Sequence, residues 1–261
     1  MRFLICDITI SCNLPSDLAS EWEIFSTHSC DDDQPSDISV RWHYQPDPYY
    51  DLEFYPHSCS DHIIGQNGCM MFADAEWTHA DIVGSDISNV NALLLTLFVS
   101  YASASGLMML HSSFIDYRGH GIAFSGPSGI GKTTQAELWN KYLGAEIING
   151  DKALIRPEDG GIMGYGSPWH GSSPYISSSS VPLRAIIFLR QSGTNAIRRV
   201  DSGTAVTELL PQILIPLWDE AAAQTVMDAI DRIVSEVPVY ILECRPDEEA
   251  VLMTRDTLFT D

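Results

Sequence analysis

The run Gly126-Pro-Ser-Gly-Ile-Gly-Lys132-Thr133 constrains the fold of this chain more than any other stretch. Glycines this dense disfavour both helix and strand, but they let successive backbone N–H groups turn inward into an anion nest. The pattern is G-x-x-x-x-G-K-[ST], a phosphate-binding loop, and such a loop joins a strand to a helix whose N-terminal dipole faces the phosphate. Both flanks suit it. Apolar Ile122-Ala-Phe124 precedes the loop, and Thr133–Leu143 reads as a helix stopped by Gly144. Lys132 is a mobile charge for the outer phosphates, and the Thr133 hydroxyl is a ligand type for Mg²⁺. Lysine is scarce, with only Lys132, Lys141 and Lys152 in the chain, so its place in the loop is not a product of composition.

Around the loop the pattern is mixed. Asn89–Ser105 predicts a helix capped by Ser88 or Asn89 and ended by Gly106. Met108–Tyr117 and Gly121–Ser125 predict strands joined by a turn. Glu146–Asp151, Lys152–Arg156 and Ile162–Tyr165 follow as extended segments, then a polar loop over Gly166–Ser180. Leu183–Arg190 and Val237–Glu243 read as strands, and Gly203–Leu214, Glu220–Val234 and Asp247–Leu258 as helices. The fold class is therefore mixed α/β with α+β character. Residues 1–88 read as a small β-rich N-terminal domain and residues 89–261 as the nucleotide-binding domain. In the front part, Leu4, Cys6, Ile8 and Ile10 alternate as one strand face. Ile38–Tyr44, Asp51–Tyr55, Cys69–Ala73 and Glu76–Ile82 are further strand candidates.

The chain has 261 residues and 45% hydrophobic content, enough for a buried core. Its formal charge is -21, which argues against nucleic acid or an anionic membrane as a partner. The charge is uneven: the first 100 residues hold sixteen acids against Arg2 and Arg41. That field suits a basic partner. Ala92–Leu110 is apolar, but its serines make a buried helix the better reading than a membrane span. Six cysteines without a C-x-x-C pair read as free thiols of a cytoplasmic protein, and no secretory signal opens the chain. His57-x-Cys59-x-x-His62 lacks a fourth ligand at zinc spacing and reads as a loop.

A nucleotide site needs an acid for Mg²⁺. Asp151 ends the strand-like Glu146-Ile-Ile-Asn-Gly-Asp151, where a strand beside the loop would deliver a carboxylate. His111 begins the segment leading into the hairpin before the loop, and a histidine there can orient phosphate or move a proton.

Together, His111-Ser-Ser-Phe-Ile-Asp-Tyr, Gly121-Ile-Ala-Phe-Ser-Gly-Pro-Ser-Gly-Ile-Gly-Lys-Thr and Ile147-Ile-Asn-Gly-Asp151 resemble HPr kinase/phosphorylase and its relatives, whose nucleotide site is like that of phosphoenolpyruvate carboxykinase. The match covers roughly residues 107–156. The resemblance implies an ATP- or other NTP- and Mg²⁺-dependent kinase with a PEP carboxykinase/HPr kinase-like P-loop domain. It would move a phosphoryl group to a hydroxyl, serine first, of a small protein or peptide. Gly126, Pro127, Ser128, Gly129, Ile130, Gly131, Lys132, Thr133 and Thr134 would hold the nucleotide. Thr133 and Asp151 would hold the metal, and His111, Asp151 and Lys132 would be catalytic. In that family two adjacent acids follow the loop helix, whereas here Gly150 stands at the first place. This departure keeps a second reading open: a nucleotide-binding module that presents a peptide or partner without phosphotransfer. A third is small-molecule phosphorylation. Gly166-Ser-Pro-Trp-His-Gly resembles a segment of related stand-alone proteins and suits a lid, with Trp169 as an anchor and His170 in reach of phosphate. Arg184, Arg198 and Arg199 read as phosphate ligands or as surface ion pairs. A homo-oligomer is compatible with all three readings.

Overall fold

A computed structural model describes residues 1–27, 35–45 and 60–259. The chain divides into two compact units, Met1–Ala102 and Ser103–Asp261. The sequence reading places the division at 88/89. The helix at that border packs on strands of the first sheet and so belongs by its contacts to the first unit.

The first unit opens with β1 (Arg2–Ile5), β2 (Ile8–Cys12) and a short α1 (Ser16–Glu21). Then come β3 (Ile38–His43), β4 (His62–Gln66), β5 (Cys69–Ala73), β6 (His79–Val83) and α2 (Ile87–Ala102). The sheet order is β1-β2-β3-β6-β5-β4, with β2–β3 and β3–β6 parallel. The expected single strand over Leu4–Ile10 is instead a hairpin. Cys6 and Asp7 adopt left-handed φ values of 50° and 68°, and Ile5 pairs with Ile8. A two-residue turn shifts the buried phase from odd to even positions. Phe3, Ile5, Ile8 and Ile10 are therefore inside, while Leu4 is 43% exposed. Strand β6 starts later than expected because Asp74 accepts the backbone N–H groups of Thr78 and His79 in a turn. Asp51–Tyr55, His57 and Cys59 lie outside the described residues. Ile87–Ser105 is long and apolar enough to cross a bilayer, yet α2 lies against β4, β5 and β6 with Leu93, Leu97 and Phe98 buried.

The second unit is mixed α/β. Its strands are β7 (Met108–Asp116), β8 (Gly121–Ser125), β9 (Glu146–Asn149), β10 (Lys152–Glu158), β11 (Gly161–Tyr165), β12 (Ser180–Gln191), β13 (Ala196–Arg199) and β14 (Val239–Cys244). Its helices are α3 (Lys132–Leu143), α4 (Ser202–Leu209), α5 (Glu220–Glu236) and α6 (Glu248–Phe259). The order is β11-β10-β7-β8-β12-β14-β13, with β9 on β7. Strands β8, β12 and β14 run parallel. Helix α4 ends earlier than the expected Leu214 because Pro211 converts its last turn to a 3₁₀ turn.

Strand β12 is an apolar run because both its faces are covered. Ile186 and Phe188 join the core formed with Ala205 and Leu209 of α4 and Val226, Ile230 and Ile233 of α5. Ala185, Ile187 and Leu189 join the opposite core, with Ala136 and Trp139 of α3 and Val251 and Leu258 of α6. The start of β12 also pairs with β11, so β7, β8, β12, β11 and β10 close into a ring. Phe114 is buried within it. A Cβ at Gly121 or Gly164 would come within 2.6 or 2.3 Å of the Phe114 ring, which explains the glycines.

Candidate functional site

The phosphate-loop motif leaves the C-terminal end of β8 and enters α3. Gly126, Gly129 and Gly131 have φ values of 137°, 76° and 112°. These are conformations in which a side chain would be strained. Gly131 is the N-cap of α3, so no side chain caps the helix and its first N–H groups are not consumed by one. Pro127, Ser128 and Gly129 form the exposed rim, and Thr134 is exposed on the first helical turn. Lys132 folds back into the loop and is 6% exposed. Its ammonium donates to the carbonyls of Gly126 (3.1 Å) and Pro127 (3.3 Å). Burial lowers its pKa, and the charge of Asp151 opposes that shift.

The acid side is built by chain crossings rather than by one local motif. Strand β9 lies on β7, and the chain turns through Gly150 and Asp151 into β10, whose Lys152 pairs with His111 and Ser112 across a bulge. This brings His111 Nε2 to 3.1 Å from Asp151 Oδ1, and Lys152 Nζ to 3.3 Å from Asp151 Oδ2. The hydrogen bond from His111 is the main reason the Asp151 carboxyl is pushed down to about 2; burial works against it and the charges of Lys152 and His111 reinforce it. The Thr133 hydroxyl donates to the Gly150 carbonyl at 3.2 Å, which ties the loop helix to the acidic turn. His111 of β7 thus pairs with Asp151 on the turn that Thr133 touches, beside the loop that holds Lys132.

Asn149 was absent from the sequence-based set, yet it organises this turn. It is fully buried. Its Oδ1 accepts the N–H groups of Asp151 (2.8 Å) and Lys152 (2.7 Å). Its Nδ2 donates to the carbonyls of Ser167 (3.0 Å) and Trp169 (3.2 Å). The Ser167 hydroxyl donates to the Lys152 carbonyl at 2.6 Å. One amide side chain therefore shapes the Asp151 turn and anchors the following loop to it. The available signal was Asn-Gly-Asp at a strand end, a turn-forming sequence in which Asn bonds backbone groups two residues on.

That following loop lies over the acid. The Ser173 N–H donates to the His170 carbonyl at 3.2 Å, and His170 Nδ1 bonds the Ser173 carbonyl. A Cβ at Gly150 would fall 1.7 Å from Ser173 Oγ, and one at Gly171 would fall 2.5 Å from Asp151 Oδ2. Ser173 therefore occupies the space that any side chain at position 150 would need. Trp169 is buried and serves as the loop's anchor. Arg184 points elsewhere: it donates to the Leu258 carbonyl at 2.9 Å and lies over the Phe259 ring. Arg198 and Arg199 stand on β13, a four-residue edge strand whose exposed pattern concealed it from periodicity.

No family model matches this sequence. No curated protein matches it either. Among solved structures, the chain is similar to the Hpr(Ser) kinase/phosphatase from Coxiella burnetii at 13% identity and a TM-score of 0.34, over 58% of this chain and 88% of that one. A likeness of this size carries no argument about chemistry, which rests on the geometry above.

Proposed function

We propose that this protein is an ATP- or other NTP-dependent phosphotransferase acting on a hydroxyl, with serine of a small protein or peptide as the acceptor class. The observation that carries the reading is the meeting of the Gly126–Thr133 loop with the His111–Asp151 pair through the bond from Thr133 to Gly150. The residues suit a nucleotide with Mg²⁺. Glycines at positive φ open a nest of N–H groups, and the Thr133 hydroxyl reaches the carbonyl of Gly150, the residue before the ionised Asp151. Thr133 and Asp151 would hold the metal, which supplies charge neutralisation on the phosphates when bound. The loop amides and Lys132 bind and orient the nucleotide. His111 Nε2 donates to Asp151 and holds it in place, and the other ring nitrogen, Nδ1, would take the acceptor's proton. Catalysis on this reading is mainly positioning and charge neutralisation.

A specific observation favours a second reading. Ser173 fills the space above Gly150, so no carboxylate can occupy that position. A module that binds nucleotide and alters its grip on a partner needs no base there. The experiment is an ATP-to-ADP assay with Mg²⁺ on the wild type and on Asp151→Asn, with and without a mixed serine-peptide pool and with mass spectrometry of the peptides. Peptide phosphorylation that is lost in Asp151→Asn supports the transferase. Tight ATP binding with no ADP and no phosphopeptide supports the module.

A further inference from the structure

At the end of the second sheet away from the phosphate loop, β7 and β8 are joined by the two-residue turn Arg118-Gly119. Tyr117 and His120 exchange backbone hydrogen bonds of 3.0 and 3.2 Å, and Asp116 Oδ1 accepts the Gly119 N–H at 2.7 Å. Arg118 and Gly119 have φ values of 56° and 80°. This turn geometry favours Asn, Asp or Gly at both central places. An arginine held at left-handed φ is an outlier of the kind that marks a use for the side chain.

The side chain faces a cavity of about 610 Å³ lined by Tyr117, Arg118, His120, Arg255, Asp256 and Phe259. The Arg118 guanidinium lies 5.0 Å from the Tyr117 ring centre, and among the described residues no carboxylate pairs with it. Arg255 adds a second guanidinium, hydrogen-bonded to Asp256 at 2.6 Å. Arg184 stands behind the cavity, its Cζ 5.7 Å from the Phe259 ring, and its bond to the Leu258 carbonyl pins the end of α6. The Tyr117 and Phe259 rings meet edge to face at 5.3 Å, giving the cavity an aromatic wall. Asp256 pairs with Arg255, so the lining's uncompensated positive charge is that of Arg118, beside two rings.

We propose that this cavity binds a small ligand carrying an oxyanion, a carboxylate or a phosphate, on a flat ring. The oxyanion meets the Arg118 guanidinium, whose fork matches either group, with Arg255, its Nε and Nη2 already on Asp256, as a second and weaker contact. The ring packs against Phe259, which is only partly buried, with the 5%-exposed Tyr117 behind it. The site is separate from the phosphate loop. The β7–β8 register runs from Ser112↔Ser125 at the loop end to Asp116↔Gly121 at the turn end, about 13 Å of strand. The proposal is therefore independent of the phosphotransferase reading.

The test titrates the full chain carrying Lys132→Ala, which removes the loop's own phosphate ligand, with benzoate, phenyl phosphate, inorganic phosphate and benzyl alcohol. Amide NMR shifts report where each probe binds. The expected result is saturable binding of at least one aromatic anion, with shifts at residues 117–120 and in α6. Inorganic phosphate should bind at least about tenfold more weakly, and benzyl alcohol should not bind. Whether benzoate or phenyl phosphate binds more tightly identifies the oxyanion. Arg118→Gly should weaken the aromatic anion by at least about tenfold without lowering Tm, because glycine suits the left-handed position. The proposal is overturned by absence of binding up to about 10 mM, by shifts confined to other residues, or by equal affinity in Arg118→Gly.

Discussion

The Gly126–Thr133 loop and the acidic turn meet through Thr133 and Gly150, but they are specified in different ways. The loop is local: eight consecutive residues set its glycine conformations, its lysine and the helix that follows. The acidic turn is assembled from three separate places, with His111 from β7, Asn149 to Lys152 between β9 and β10, and Ser167 to Ser173 from the loop beyond. Local specification makes a site that tolerates change elsewhere. Assembly across the chain makes a site that fails when a remote hydrogen bond is lost.

The largest expected effect tests the loop. Lys132→Ala should reduce phosphotransfer by at least about a thousandfold, because the lysine charge is lost where phosphate charge must be held. Its thermal midpoint should stay near that of the wild type, since the ammonium bonds only loop carbonyls. Full turnover in this variant would remove the loop from the chemistry and end the proposed function.

Asn149→Ala should be next. It strands two N–H groups and two carbonyls in a buried place, a loss of about 2–4 kcal/mol. Turnover should fall by about ten- to a hundredfold while nucleotide affinity stays within about twofold, because the loop does not depend on Asn149. Denaturant unfolding and nucleotide titration separate the two effects. An equal loss of nucleotide affinity would show that loop and turn are one unit and would break the comparison.

Gly150→Ala sharpens it further. The added methyl falls on Ser173 Oγ, and relief requires moving the covering loop, at about 1–3 kcal/mol. The double variant Gly150→Ala/Ser173→Gly should recover more than half of that loss, since the two positions share one volume. Purely additive losses in denaturant unfolding would mean that the two residues do not meet.

The same division explains what the sequence revealed. The loop, α3 and β12 were legible because glycine spacing and an apolar run are local signals. Asp151 was legible as a strand-end acid and His111 by its place before the hairpin. The clamp of Asn149 on Ser167 was not, because its partners are 18 residues apart and meet only once β10 and β11 have folded between them. In the first unit, the alternation of Leu4, Cys6, Ile8 and Ile10 misled, because it passes through a turn at Cys6-Asp7 that carries no glycine or asparagine and switches the buried phase. Strand β13 and helix α1, with four and six residues, are too short for a period to show.

The smallest expected effect concerns the charge at the centre of the turn. The Asp151 carboxyl titrates at about 2 in the folded chain against an ordinary 3.8. A depressed pKa adds stability that is fully present above the unfolded value and is lost as pH falls through the folded one. The wild type should therefore exceed Asp151→Asn in stability by about 1–2 kcal/mol from neutral pH down to about pH 5, after allowance for the carboxylate's partial exposure. The difference should shrink between about pH 4 and pH 2 and vanish below that. Denaturant unfolding of both chains across this range reads it directly. A difference that stays constant to pH 2 would mean that His111 and Lys152 do not hold the carboxylate in its charged form. The acidic turn would then be shaped by the Asn149 backbone clamp alone, with the histidine–aspartate pair a consequence of that shape and no part of what maintains it.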